Sequence, residues 1–132
     1  MKIIGIIPAR YASSRFPGKP LIDLKGKSMI ERVYKGAKMS QKLSRVIVAT
    51  DDKRIYDLVT SEGYKAVYTS GDCPSGSSRV AEVAKDMDAE WIFEMQGDQP
   101  MVTPDVIDNF IENAVAETEK NNMVHVVIPF AP

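Results

Sequence analysis

Two arginines, two serines and a lysine fall within ten residues of one another: Arg10, Ser13, Ser14, Arg15 and Lys19. A guanidinium matches phosphate oxygens in pairs and an ammonium adds a point charge, so the set suits a polyanion such as a triphosphate. Pro8 and Pro17 stiffen the stretch, and Gly18 leaves its backbone free to approach a ligand. A solvated basic loop is the alternative, but such a loop has no need of two prolines.

Three more polar clusters follow. Thr50-Asp51 either faces a ligand or caps a helix. Ser75-Gly76-Ser77-Ser78-Arg79 could offer hydroxyl and backbone donors from a helix start, though its plainest reading is a serine cap with turn residues around it. Gln96-Gly97-Asp98-Gln99-Pro100 presents one carboxylate in a tight turn. Magnesium takes one or two carboxylates plus substrate phosphate oxygens, and Asp98 meets that need; an Asx-turn acid bound to its own backbone is the equal alternative.

Each cluster follows an apolar run of strand type. Lys2 to Ile7, Arg45 to Ala49, Ala66 to Tyr68, Trp91 to Met95 and Val124 to Ile128 read as five strands, the first of them buried on both faces. Leu21 to Leu24 reads as a short extended piece, and Lys25-Gly26-Lys27 as a turn. Four helical patterns lie between the strands. Ser28 and Glu31 form a capping box before a stripe of Met29, Ile30, Val33, Tyr34 and Ala37, in a helix ending near Met39. Asp51 or Asp52 caps a helix with Ile55, Leu58 and Val59 inward, stopped at Gly63. Val80, Val83, Ala84 and Met87 mark a third. Thr103-Pro104-Asp105 opens the last, with Val106, Ile107, Phe110, Ile111 and Ala114 expected to be buried.

Alternation of strand and helix implies an α/β fold, a mainly parallel sheet with helices on both faces. In such a sheet the strands' carboxyl ends share one edge, so the four polar clusters should converge on one cleft. The 132 residues suffice for one domain with a real core. A net charge of −1 argues against a nucleic-acid partner, and no apolar segment reaches the length of a membrane span. The apolar run at the start is too short for a signal peptide, so a cytoplasmic location is expected. Cys73 alone cannot form an internal disulfide, and one thiol with His125 argues against zinc. His125 reads as a polar strand residue, and the seven methionines as core filler.

The stretch from Ile7 to Leu21 closely resembles the opening signature of the CMP-Kdo synthetases (3-deoxy-manno-octulosonate cytidylyltransferases). Val48 to Asp52, Ser75 to Arg79 and Gln96 to Pro100 are similar to later blocks of that family, in the same order and spacing. The resemblance implies a Rossmann-like nucleotidyltransferase fold and transfer of CMP from CTP to Kdo, with release of pyrophosphate, for lipopolysaccharide assembly. It places Arg10, Arg15 and Lys19 on the triphosphate as the catalytic cations, with Pro8, Ala9 and Ser13 beside them. Ser75, Gly76 and Arg79 would surround the cytidine, Gln96 would lie near the sugar acid, and Asp98 would bind Mg2+.

Three departures from the family pattern bear on this expectation. Ser77-Ser78 stands where members carry threonine and an acid, and Gln99 stands where they carry glutamate; each change removes a negative charge near the site. Members also run to roughly twice this length, within the usual range of one domain. Residues 1–132 are thus expected to be the nucleotide-binding half. The other half would supply a second metal-binding acid, most of the sugar pocket and much of a homodimer contact. A CTP- and magnesium-binding module without turnover, or a cytidylyltransferase for another sugar acid, are the alternatives.

Overall fold

The computed structural model describes residues 2–11, 21, 23–24, 26–71, 76–89, 91–95, 103–118 and 126–127. Strand β1 (Ile3–Ala9) is buried at every position, as expected of an apolar run with no polar alternation. A two-stranded hairpin, β2 (Asp23–Leu24) and β3 (Lys27–Ser28), follows. Gly26 turns it at φ +93°, a left-handed conformation that glycine adopts without strain.

Helix α1 (Met29–Lys38) begins on the expected capping box. The Ser28 hydroxyl accepts from the Glu31 amide, and the Glu31 carboxylate accepts from the Ser28 amide. Then come β4 (Arg45–Thr50), α2 (Lys53–Ser61), β5 (Ala66–Tyr68), α3 (Gly76–Ala84), β6 (Trp91–Glu94), α4 (Pro104–Thr118) and β7 (Val126–Val127). Gly63, at φ +80°, ends α2 as expected. The Thr103 hydroxyl accepts from the Val106 amide at the start of α4.

The main sheet has the order β5-β4-β1-β6-β7, and all four pairings are parallel. Side chains alternate along β1 with the pleat. Ile3, Ile7 and Ala9 join a core with Val46, Val48, Trp91 and Phe93, covered by Ile30, Val33 and Tyr34 of α1, Ile55 and Val59 of α2, and Ile107 and Ile111 of α4. Ile4 and Ile6 join Ile47, Ala49 and Ile92 under Val80 and Val83 of α3. Three helices therefore cover one face, and α3 covers the other. Gly5 allows a close approach: a Cβ there would lie 3.0 Å from a Leu43 methyl.

Asp108 of α4 fastens that helix to the turn after α1. Its carboxylate accepts from the Ser40 hydroxyl and from the Gln41 and Lys42 amides.

One expectation fails. Val106 is 51% exposed and does not belong to the buried stripe of α4. The helix packs on Ile107 and Ile111, and at 3.6 residues per turn Val106 points about 100° from the first and about 140° from the second. Among the described residues no helix is long and apolar enough to cross a membrane.

Candidate functional site

Register decides where the polar segments emerge. Ala9 of β1 lies opposite Thr50 of β4, and Thr50 lies opposite Tyr68 of β5. The residues that follow these three therefore leave the sheet at one rim. There they enclose a cavity of about 210 Å³ lined by Arg10, Tyr11, Asp51, Asp52, Arg54, Gly71 and Arg79.

The β4 end divides its work between neighbouring acids. The Thr50 hydroxyl accepts from the Asp52 amide and shapes the turn. Asp52, not Asp51, caps α2: its carboxylate accepts from the Arg54 amide at 2.8 Å and the Ile55 amide at 3.3 Å. The same carboxylate takes the Arg54 guanidinium in two contacts, from Nε at 3.1 Å and from Nη2 at 2.8 Å. Arg54 also lies over the Tyr11 ring, 3.2 Å from its centre.

Asp51 is left to face the cavity, with Oδ1 3.7 Å from Nη1 of Arg79. Arg79 lies in the first turns of α3 and is only 3% exposed. Its Nη1 donates to the Thr69 hydroxyl at 2.5 Å and to the Ser70 carbonyl at 3.2 Å. Glu82, one turn on, accepts from the Ser70 amide at 2.8 Å. The Thr69–Ser70 segment is thus tied to α3 twice. Below it, Ser77 donates to the buried Glu94 carboxylate of β6.

The Arg54 hydrogen bond holds the Asp52 carboxyl below its ordinary value near 3.8, assisted by the two capping amides and opposed by partial burial. The unfolded chain therefore protonates this group first as pH falls. The stabilisation is present above about pH 4 and is lost as pH drops through the lower folded value. An Asp52→Asn variant keeps a capping side chain but loses the charge pair. In urea melts its deficit against the unmodified chain should be constant from pH 7 to 5 and shrink below pH 4.

Of the residues expected at the site, Arg10 and Arg79 line the cavity together. Pro8 and Ala9 are buried inside β1, and Gly76 is the first residue of α3; none of the three lines it. Ser13, Arg15, Lys19, Ser75, Gln96 and Asp98 lie outside the described residues, as do Cys73 and His125. Tyr11, Asp52 and Arg54 were not expected as partners in the lining. The available signal was an acid cap followed by Lys53-Arg54, two cations in a helix turn that favours acids. Among the described residues no group of three or more His, Cys, Asp or Glu could hold a metal ion. The expected ligand Asp98 lies outside the described residues.

A parallel sheet in this order, with an arginine-rich cavity at its carboxyl edge, defines a Rossmann-like fold of the nucleotidyltransferase class. More narrowly, the chain belongs to the cytidylyltransferase family, whose model matches residues 4–131. It is 50% identical over 112 residues to a 3-deoxy-manno-octulosonate cytidylyltransferase of Trichlorobacter lovleyi, covering 85% of this chain and 44% of that protein. It is 44% identical over 130 residues to the protein of the same name from Chlamydia trachomatis, covering 97% of this chain and 50% of the relative. The solved structure of a CMP:2-keto-3-deoxy-manno-octonic acid synthetase complexed with CTP superposes with a TM-score of 0.84 at 39% identity, over 92% of this chain and 48% of that one. The chain thus spans about half the length of the curated relatives it matches.

Proposed function

We propose that the chain is the nucleotide-binding half of a cytidylyltransferase that moves CMP from CTP to 3-deoxy-D-manno-octulosonate (Kdo) and serves lipopolysaccharide synthesis. The anomeric oxygen of the sugar acid attacks the α-phosphorus, the bond to the β-phosphate oxygen breaks, and pyrophosphate leaves; the hydroxyl proton is lost to water or buffer. The observation that carries the reading is the similarity, across 92% of the chain, to a synthetase solved with CTP. The cavity on the strands' carboxyl edge is where that fold class takes ligands.

In this reading Arg10, Arg15 and Lys19 neutralise the triphosphate, with Pro8, Ala9 and Ser13 beside it. Ser75, Gly76 and Arg79 surround the cytidine, and Gln96 meets the sugar acid. Mg2+ on Asp98 would neutralise charge on the phosphates. Transfer at phosphorus asks a protein mainly for alignment and charge neutralisation, which this residue set can supply. The reading also includes a homodimer, no nucleic-acid partner and a cytoplasmic location, where CTP is made.

Calorimetry with CTP and magnesium, and pyrophosphate release on adding Kdo, test the proposal. Binding of CTP in preference to ATP, with Kdo-dependent release, is the expected result. A folded chain that does not bind CTP would refute it. Binding without release at high protein concentration would favour the second reading, a CTP-binding module, which the half-length match also suits.

A further inference from the structure

Arg54 occupies a position that helix physics alone argues against. It lies in the first turn of α2, which holds two cations and no acid, at the end where the helix dipole favours negative charge. Asp52 offsets part of that cost by engaging the guanidinium edge with both oxygens. The guanidinium face is spent on Tyr11, at 3.2 Å from the ring centre. Tyr11 directly follows Arg10, the residue with which the chain leaves β1. The stack Asp52–Arg54–Tyr11 thus ties the start of α2 to the beginning of the cation-rich segment. Both contacts depend on a flat, forked cation, so lysine cannot replace it.

We propose that Arg54 is a positioning residue: by holding Tyr11 against the α2 start, it sets the direction in which Arg10 enters the cavity. This rests on the reading that the cavity takes the phosphates of CTP. Arg54 also lines the cavity, but its Nε–Nη2 edge is on Asp52 and its face on Tyr11, so in this proposal its contribution to nucleotide binding passes through Tyr11. Among the described ion pairs none involves Arg10.

The test uses Arg54→Met, Arg54→Lys, Tyr11→Leu and the double variant Tyr11→Leu/Arg54→Met. CTP affinity should fall about tenfold in each single variant, and the double variant should lose no more than either parent, because residues acting as one unit are not additive. A roughly hundredfold loss in the double variant would overturn the proposal. So would restoration of affinity by Arg54→Lys, which would make Arg54 a direct phosphate contact. Trypsin cleavage after Arg10, followed by mass spectrometry without nucleotide, is the second readout. Cleavage should quicken in Arg54→Met and Arg54→Lys alike, and an unchanged rate would overturn the stack. Should the unmodified chain fail to bind CTP while the cleavage rates change as expected, the functional reading falls and the stack stands.

Discussion

Replacing Arg79 with methionine is expected to weaken both the fold and CTP binding. The substitution keeps an apolar stem of similar length inside α3 and removes the guanidinium. The Thr69 hydroxyl and Ser70 carbonyl lose their donor, and Asp51 loses its neighbouring cation. A hydrogen bond to a charged group contributes about 1.5–3 kcal/mol, and here Thr69 is half-buried and Ser70 is exposed, so water replaces part of what is lost. Asp51 remains partly hydrated, which sets the loss nearer the lower end. A urea melt measures this directly. CTP affinity should fall by about 10–100-fold, the equivalent of one charge-assisted contact. If stability drops while affinity holds, Arg79 is an internal strut and its placement around the cytidine is wrong.

Arg10→Ala should separate the two effects. Arg10 is exposed and, among the described residues, takes part in no ion pair, whereas Arg54 has Asp52 and Arg79 has Asp51 nearby. Its loss should leave stability within about 0.5 kcal/mol, as for surface changes generally. CTP affinity should still drop by about 10–100-fold if the guanidinium meets phosphate. Salt distinguishes this contact from packing. Affinity of the unmodified chain should decline as ionic strength rises, and the decline should be shallower in Arg10→Ala. Equal slopes would remove Arg10 from the phosphates. Calorimetric titrations at three salt concentrations suffice.

Local chemistry made much of the fold readable in advance. Ser28 and Glu31 are three apart and answer each other's backbone, so the start of α1 needs no distant partner. Gly26 and Gly63 mark left-handed turns for the same reason. The runs that became β1, β4 and β6 are apolar apart from Arg45, Thr50 and Glu94 at their ends, as a strand covered on both sides requires. Convergence of the ends of β1, β4 and β5 then followed from parallel pairing, while the expected fourth cluster, Gln96 to Pro100, lies outside the described residues.

The details of the rim were harder to read because they depend on contacts across the chain. Either Asp51 or Asp52 could cap α2. Arg79 on α3 and Arg54 on α2 decide the matter by drawing the two carboxylates to different partners. Tyr11 and Arg54 meet only once β1 and β4 lie side by side, and no period in the chain announces that meeting. Val106 failed for a related reason. An apolar residue at helical spacing is a candidate for burial, but the helix's rotation on the sheet selects the stripe that is covered. Burial of Glu94 was likewise hidden, since its Ser77 partner comes from the helix lying across it.

Among the described helices α3 alone covers its face of the sheet, and that has a price in independence. Val80 and Val83 shield the smaller core, and Arg79 beside them braces the rim, so a single rigid rod serves both. Damage to the oily underside of that rod would therefore surface as a ligand-affinity defect, although no ligand touches it. In the opposite layer α1 and α4 bring no described residue to the cavity lining, so a methyl group lost from either should leave ligand affinity unchanged.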